Sequence, residues 1–169
     1  MRMNLPSGEV LRQAANAKQA DYRRELLAQL AAGFSGYLVV TVEGLEGMEE
    51  GALFFRNGQF LAAVYEYPQQ LITLASEEAS RCCFNALASD YAAYDLVKLS
   101  NQQVDLILAL NEPYRLRQAL DRGAVQRSFA PAFSTSFAEK HLSQVLIQKR
   151  FAESRYNLLK RLGLHKLGD

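Results

Sequence analysis

The residue types best suited to chemistry are few in this chain and poorly spaced for it. The two histidines, His141 and His165, stand 24 positions apart. Neither has a Cys, His or carboxylate at metal-ligand spacing. The nearest approach, His141 to Glu139, is a two-residue step that does not share a helix face, so both histidines are read as solvent-facing. Cys82 and Cys83 are adjacent rather than C-x-x-C. On a helix their side chains diverge by about 100°, too far for a facile internal disulfide, and both are expected as buried small hydrophobes. No nucleophile elbow, phosphate loop or dinucleotide fingerprint occurs. Gly44, Gly47 and Gly51 flank acids, which repel phosphate. Glu43, Glu46, Glu49 and Glu50 carry the charge for a hard cation, but their spacing matches no calcium loop, and a solvated acidic turn is the simpler reading. No catalytic residue, metal or cofactor is therefore expected, and an enzyme is the least favoured class.

The charge distribution points instead to contacts. The 169 residues have a formal charge of +1. Residues 1–112 hold 8 Lys/Arg against 14 Asp/Glu, a net −6, and residues 113–169 hold 11 against 4, a net +7. An acidic body with a basic tail invites an anionic partner, or docking of the tail on its own acidic half, the blander of the two. Arg115, Arg117, Arg122 and Arg127 form one basic cluster, with Phe129 and Phe133 beyond it. Lys149, Arg150, Arg155, Lys160, Arg161 and Lys166 form another. Basic side chains interleaved with aromatics can hold a phosphate backbone and stack bases, although no named nucleic-acid motif is present.

A composition of 49% apolar and 22% charged residues is that of a globular protein. No run approaches the ~20 apolar residues of a bilayer span, and MRMNLPSGEV lacks the apolar core of a secretory signal. With two adjacent cysteines besides, a cytoplasmic protein with no membrane contact is expected.

The elements follow from period and punctuation. Asp21 caps a helix with apolar Leu26, Leu27 and Leu30, closed by Gly33; Val10–Ala20 either extends it or forms a separate turn. Ser35–Glu43 reads as a strand, Gly44–Gly51 as a loop, and Ala52–Arg56 as a second strand. Asn57-Gly58 is a type I′ hairpin signal, and Gln59–Tyr67 a third strand ended by Pro68. Ser76-Glu77-Glu78 opens a helix with a cap oxygen and two acids, and Ala79, Cys83, Ala86 and Leu87 share a face. Tyr91–Leu99 is a fourth strand. Ser100-x-x-Gln103 is a capping box for a helix to Leu110 that is apolar nearly all round, hence expected to be buried on more than one side. After Pro113, Tyr114–Arg122 reads as a short helix closed by Gly123.

Ala124–Thr135, with Pro131 and exposed-looking phenylalanines, is the expected linker. Ser136-x-x-Glu139 then opens a helix extending to Leu162. It has two apolar faces: Leu142, Val145, Leu146, Ala152, Tyr156 and Leu159 on one, and Ile147, Phe151, Leu158 and Leu162 on the other. Two stripes fit packing on the body and on a second chain; fraying of the end beyond Leu158 explains them equally well.

GFSGYLVVTVEG, EEGALFFRNGQFLAAVYEY, SEEASRCCFNALAS and YDLVKLSNQQVDLILALNE together resemble a family of uncharacterised archaeal proteins. More distantly, about residues 20–112 are similar to PATAN-type domains, α/β adaptor modules of prokaryotic signalling proteins. The shared pattern is a helix (Leu26–Ala32), a small-Gly step into a strand (Ser35-Gly36-Tyr37), a hairpin (Leu53–Gly58) and a strand (Phe60–Tyr65). This chain departs from it in inserting Gln69–Ala75 and in placing Ser76 where a Gly commonly precedes the second helix. The resemblance implies a non-enzymatic interaction module, self-associating, and transfers no catalytic residues.

The expected architecture is an α+β domain over residues 1–123, with an antiparallel sheet of about four strands and helices on one face. A linker over 124–135 and a basic helical tail over 136–169 follow. The expected function is a protein–protein adaptor or regulatory scaffold that also pairs with itself, acting through a sheet edge or a helix face. Asn57, Gly58, Phe151, Leu158 and Leu162 are the contact candidates. The alternative is an RNA- or ribosome-associated factor held by the two basic clusters.

Overall fold

The computed structural model describes residues 5–143 and 147. The chain divides into two compact units, residues 1–134 and 135–169. In the first, β1 (Glu9–Asn16) precedes α1 (Tyr22–Ala31), and β2 (Gly36–Gly44), β3 (Gly47–Arg56) and β4 (Gln59–Tyr67) form a meander. A 3-10 turn leads into β5 (Ile72–Ala75), α2 (Ser76–Ala86), β6 (Ala93–Lys98) and α3 (Asn101–Leu110). A second 3-10 turn precedes β7 (Arg115–Leu120) and α4 (Arg122–Ser128). The sheet is antiparallel, in order β1-β6-β2-β3-β4-β5, and β7 also pairs with β4.

The α+β class stands, but the sheet has seven strands rather than four. The additions are β1, β5 and β7, all at the margins. Both β1 and β7 are mostly exposed. Such strands bury little, so their sequences lack the alternation that marks a half-buried strand. In β7 the only partly covered side chains, Leu116 and Leu120, lie four apart and mimic a helical stripe. The acidic stretch 44–51 is mostly strand as well: Gly44 pairs directly with Gly47, leaving only Leu45 and Glu46 in the turn.

Helices cover both faces of the sheet, not one. On one face, Tyr37, Ala52, Phe54, Ala62 and Val64 pack with Val104, Ile107 and Leu108 of α3. On the other, α2 approaches so closely that a Cβ on Gly51 would lie 2.5 Å from the sulfur of Cys83. Both cysteines are free and buried, as expected. On this second face aromatic rings run in series. Tyr22 of α1 meets Phe129 at 5.6 Å, Phe129 meets Phe84 of α2 at 5.6 Å, and Phe84 meets Phe60 at 5.9 Å. Phe60 meets Phe55 at 5.3 Å, and Phe55 meets Phe34 at 5.9 Å. Phe129 and Val125 therefore belong to the packed body. The stretch expected as a linker is helical over Arg122–Ser128, with Val125 fully buried and Phe129 and Phe133 half-buried.

Local chemistry sets the helix ends. Asp21, in the left-handed region at φ 49°, accepts from the Arg24 N–H. Gly33, at φ 75°, lets its N–H reach the Leu30 carbonyl and that of Phe34 reach Gln29, a Schellman closure. Ser100 and Gln103 form the reciprocal capping box. Ser76 does not cap α2: it is the first helical residue, at φ 60°, and its hydroxyl donates to the Arg115 carbonyl. Glu77 accepts from the Arg117 N–H at 2.8 Å, so the start of α2 staples β7 in place. In the second unit, residues 136–143 are helical. The Glu139 N–H bonds the Thr135 carbonyl at 2.9 Å and the Thr135 hydroxyl meets the Glu139 carboxylate at 3.1 Å, so the first helical hydrogen bond starts at Thr135, one residue before Ser136.

Leu53 is fully buried while Leu71 is 67% exposed. Urea unfolding should show Leu53→Ala costing about 2–5 kcal/mol. Leu71→Ala should stay within about 0.5 kcal/mol, and similar costs at both positions would contradict this placement of the core.

Candidate interaction surfaces

Asn57 and Gly58 form the β3–β4 turn at φ 51° and 77°. The structure uses them to join three elements. The Asn57 N–H donates to the Ser35 hydroxyl at 2.8 Å, that hydroxyl donates to Asn101 Oδ1 at 2.6 Å, and Asn101 Nδ2 donates to Asn57 Oδ1 at 2.9 Å. The Gly58 N–H donates to the Phe34 carbonyl at 2.8 Å, and a Cβ there would lie 2.4 Å from the Leu30 carbonyl oxygen. Asn57 is exposed and Gly58 buried, and their bonds tie the hairpin to the ends of α1 and α3.

The first basic cluster is carried by two packed elements, Arg115 and Arg117 on β7, Arg122 and Arg127 on α4. All four are exposed. Arg115 Nε donates to the Leu108 carbonyl at 3.2 Å. The second cluster (Lys149, Arg150, Arg155, Lys160, Arg161, Lys166) and the tail candidates Phe151, Leu158 and Leu162 lie outside the described residues, as does His165. His141 is half-buried.

The acidic stretch is not a solvated turn throughout, because strand alternation divides its carboxylates. Glu49 and Glu50 project to opposite faces of β3, and Glu49 is only 4% exposed. Its Oε2 accepts from the Tyr65 hydroxyl at 2.6 Å, while Oε1 has no hydrogen-bond partner among the described residues. Burial raises the Glu49 pKa, with the Tyr65 hydrogen bond opposing it, and burial drives the Tyr65 phenol far above its ordinary value. No group of three metal-ligating side chains occurs among the described residues. None of the described helices is long and apolar enough to cross a membrane.

Two kinds of surface remain as contact sites, edges and helix faces. The β1 edge is blunted. Its pairing with β6 shifts register twice, Ala14 sits at φ 45° with its N–H donated to Asp95 Oδ1 at 2.6 Å, and Arg12 pairs with Glu25 at 2.8 Å. The helix face is different. Contrary to the expectation that α3 is buried on more than one side, Leu106 is 59% and Leu110 75% exposed, with Ala109 exposed beside them. Only Val104, Ile107 and Leu108 are buried. The signal for this surface is the run VDLILAL, which has more apolar side chains than one buried stripe can use. Arg56 pairs with Asp105 at 2.9 Å at the margin of the strip.

Two measurements test these assignments. Gly58→Ala should cost about 2 kcal/mol or more, since it adds a left-handed penalty to a backbone clash, whereas Ala at the exposed neighbour Gln59 should change little. A Glu49 pKa raised on folding stabilises the fold fully below the ordinary value of 4.5, and that contribution is lost as pH rises through the folded value. Glu49→Gln keeps an acceptor for Tyr65 but cannot ionise. It should gain stability on the parent protein as pH rises above the ordinary value of 4.5; a difference that does not change with pH would show that Glu49 titrates normally.

No curated protein and no solved structure matches this chain. Residues 3–111, which span β1 to the end of α3, match the profile of a family described as uncharacterized proteins conserved in archaea (DUF2226). With most of its length matched, and with β1 to β6, α1, α2 and α3 all inside that span, the chain belongs to this archaeal family.

Proposed function

We propose that the chain is a non-enzymatic protein-interaction module, a cytoplasmic regulatory adaptor that self-associates through the outer face of α3. The observation that carries this reading is the pair Leu106 and Leu110, one helical turn apart and both more than half exposed. Such side chains gain roughly 25 cal/mol for each Å² of apolar surface they lose to a partner. The helix presenting them is held by its capping box, by the Asn101 bond to the hairpin and by three buried side chains. It can therefore be buried from outside without rearranging. The distant similarity to PATAN-type adaptors supports the same class.

The partner in this reading is a second copy. A two-fold contact brings each residue near its own equivalent, so an unbalanced charge in the patch would repel itself. Here Asp105 is already paired with Arg56, and α3 carries no other charged residue. The same two groups can exchange partners across a two-fold axis, Arg56 of one copy facing Asp105 of the other.

Sedimentation velocity across a concentration series should show a dimer for the unaltered protein. Leu106→Glu with Leu110→Glu should shift it to monomer with an unchanged circular dichroism spectrum. A monomer at all concentrations, or a folded α3 variant that stays dimeric, would overturn the proposal.

A further inference from the structure

The side of the body formed by α1 and α4 carries arginines that the fold does not use. Arg24, Arg122 and Arg127 are exposed and form no ion pair among the described residues. The acids on these two elements and their caps are already engaged. Asp21 accepts from the Arg24 N–H, Asp121 accepts from the Ala124 N–H at 2.7 Å, and Glu25 pairs with Arg12. Asp21 and Asp121 keep their charge while accepting N–H bonds and Glu25 is met by Arg12, so the four arginines of the two helices face two capping acids and positive charge on this side is in excess. It is supplied by arginine alone, since neither helix contains a lysine. The planar guanidinium, with its fork of donors, suits phosphate oxygens and aromatic planes better than an ammonium does.

A second feature lies beside it. Arg23 is fixed where α1 meets the chain leaving α4: its guanidinium lies 5.7 Å from the Tyr22 ring centre and 5.8 Å from that of Phe129, and it donates to the Ala130 carbonyl. On its other side Arg23 lines an open cleft of about 360 Å³ with Lys18, Leu87, Asp90 and Pro131. Tyr91, next in sequence to Asp90 in the cleft wall, is 86% exposed. A large exposed aromatic next in sequence to a cleft residue offers a flat face for stacking. The cleft's own charges balance, because Lys18 pairs with Asp90 at 2.7 Å and Asp21 lines it together with Arg23. Backbone attraction therefore falls to the free arginines, while the cleft and Tyr91 supply apolar and π surface.

From this arrangement we infer that the α1–α4 side binds single-stranded nucleic acid. Arg24, Arg122 and Arg127 contact phosphates, and a base stacks on Tyr91 at the mouth of the Arg23 cleft. Stacking favours a single strand, whose bases are free, over a duplex. The site is independent of the α3 contact and survives its failure.

The test is fluorescence anisotropy of the full chain with a labelled oligouridylate of about 15 nucleotides, repeated over a salt series and with a duplex of equal length. Log affinity should fall linearly with log salt. Arg122→Ala with Arg127→Ala should flatten that slope by about 1.4, at ~0.7 for each single-strand phosphate that is no longer neutralised. Arg24→Ala, which leaves α4 untouched, should flatten it by about half as much. Tyr91→Ala should weaken binding roughly tenfold and leave the slope alone. Absence of binding at low salt overturns the inference. So does a slope unchanged in the arginine variants, which would move the phosphate contacts to another part of the chain. Duplex or polyglutamate binding as tight as the single strand would show a merely cationic surface and overturn it as well.

Discussion

The row of aromatic rings from Tyr22 to Phe34 is the constraint on which the rest of the body depends. It starts in α1, passes through Phe129 after α4, crosses α2 and two strands, and ends just beyond α1. Edge and tilted contacts of this kind add about 0.5–1.5 kcal/mol each to the area that the rings bury. Their geometric effect is larger, because each ring fixes the distance between the elements on either side of it. With Phe84 held between Phe60 and Phe129, α2 cannot slide along the sheet, and Cys83 is set against the bare backbone of Gly51. The same row draws the chain after β7 back onto α1. That return places Arg23 over two rings and brings α4 to the side of α1.

The opposite face of the sheet is organised by a single helix and by hydrogen bonds at its start. α3 is capped by Ser100, tied to the hairpin by Asn101 and anchored by three side chains. The two faces are thus stabilised differently: one by aromatic packing from several elements, the other by one helix with half of its apolar surface to spare. The two proposed contacts follow this division, an apolar strip on the α3 side and arginines on the α1–α4 side. The net charge of +1 conceals it, since that sum does not show where the arginines outside ion pairs lie.

The parts of the fold legible in the sequence are those in which local chemistry and burial agree. The meander, the Asn57-Gly58 turn, the Asp21 cap, the Ser100 box and the extent of α3 all follow from residues that have few alternatives. β1, β5 and β7 are not legible because their pairing is a property of the partner strand. An exposed edge strand needs only main-chain hydrogen bonds, which any sequence free of proline supplies. Phe129 looks like a linker residue because the rings that cover it, Tyr22 and Phe84, are far away in sequence. Glu49 looks solvated because acids usually are; only the Gly44–Gly47 pairing shows that it points inward. Among the candidate sites, the arginines of β7 and α4 are visible as charge. Arg23 and Arg24 are hidden in an ordinary helix, and Leu106 and Leu110 read as buried because apolar residues generally signal a core.

The partnership of β1 with β6 also has a bearing on how the protein comes into being. Glu9 pairs with Lys98 and Asn16 with Ala93. During synthesis the first strand must therefore wait while α1, the whole meander and α2 emerge, since its neighbour in the sheet is made after all of them. Closing so long a loop is slow compared with forming the hairpins, which places β1 among the last strands to join. In the interval, the β6-facing side of β2 is open as well, and nascent chains crowded on one message present these unpaired edges to one another. The two irregularities in β1, costly to a regular ladder, make that waiting strand a poor template for a neighbour's sheet.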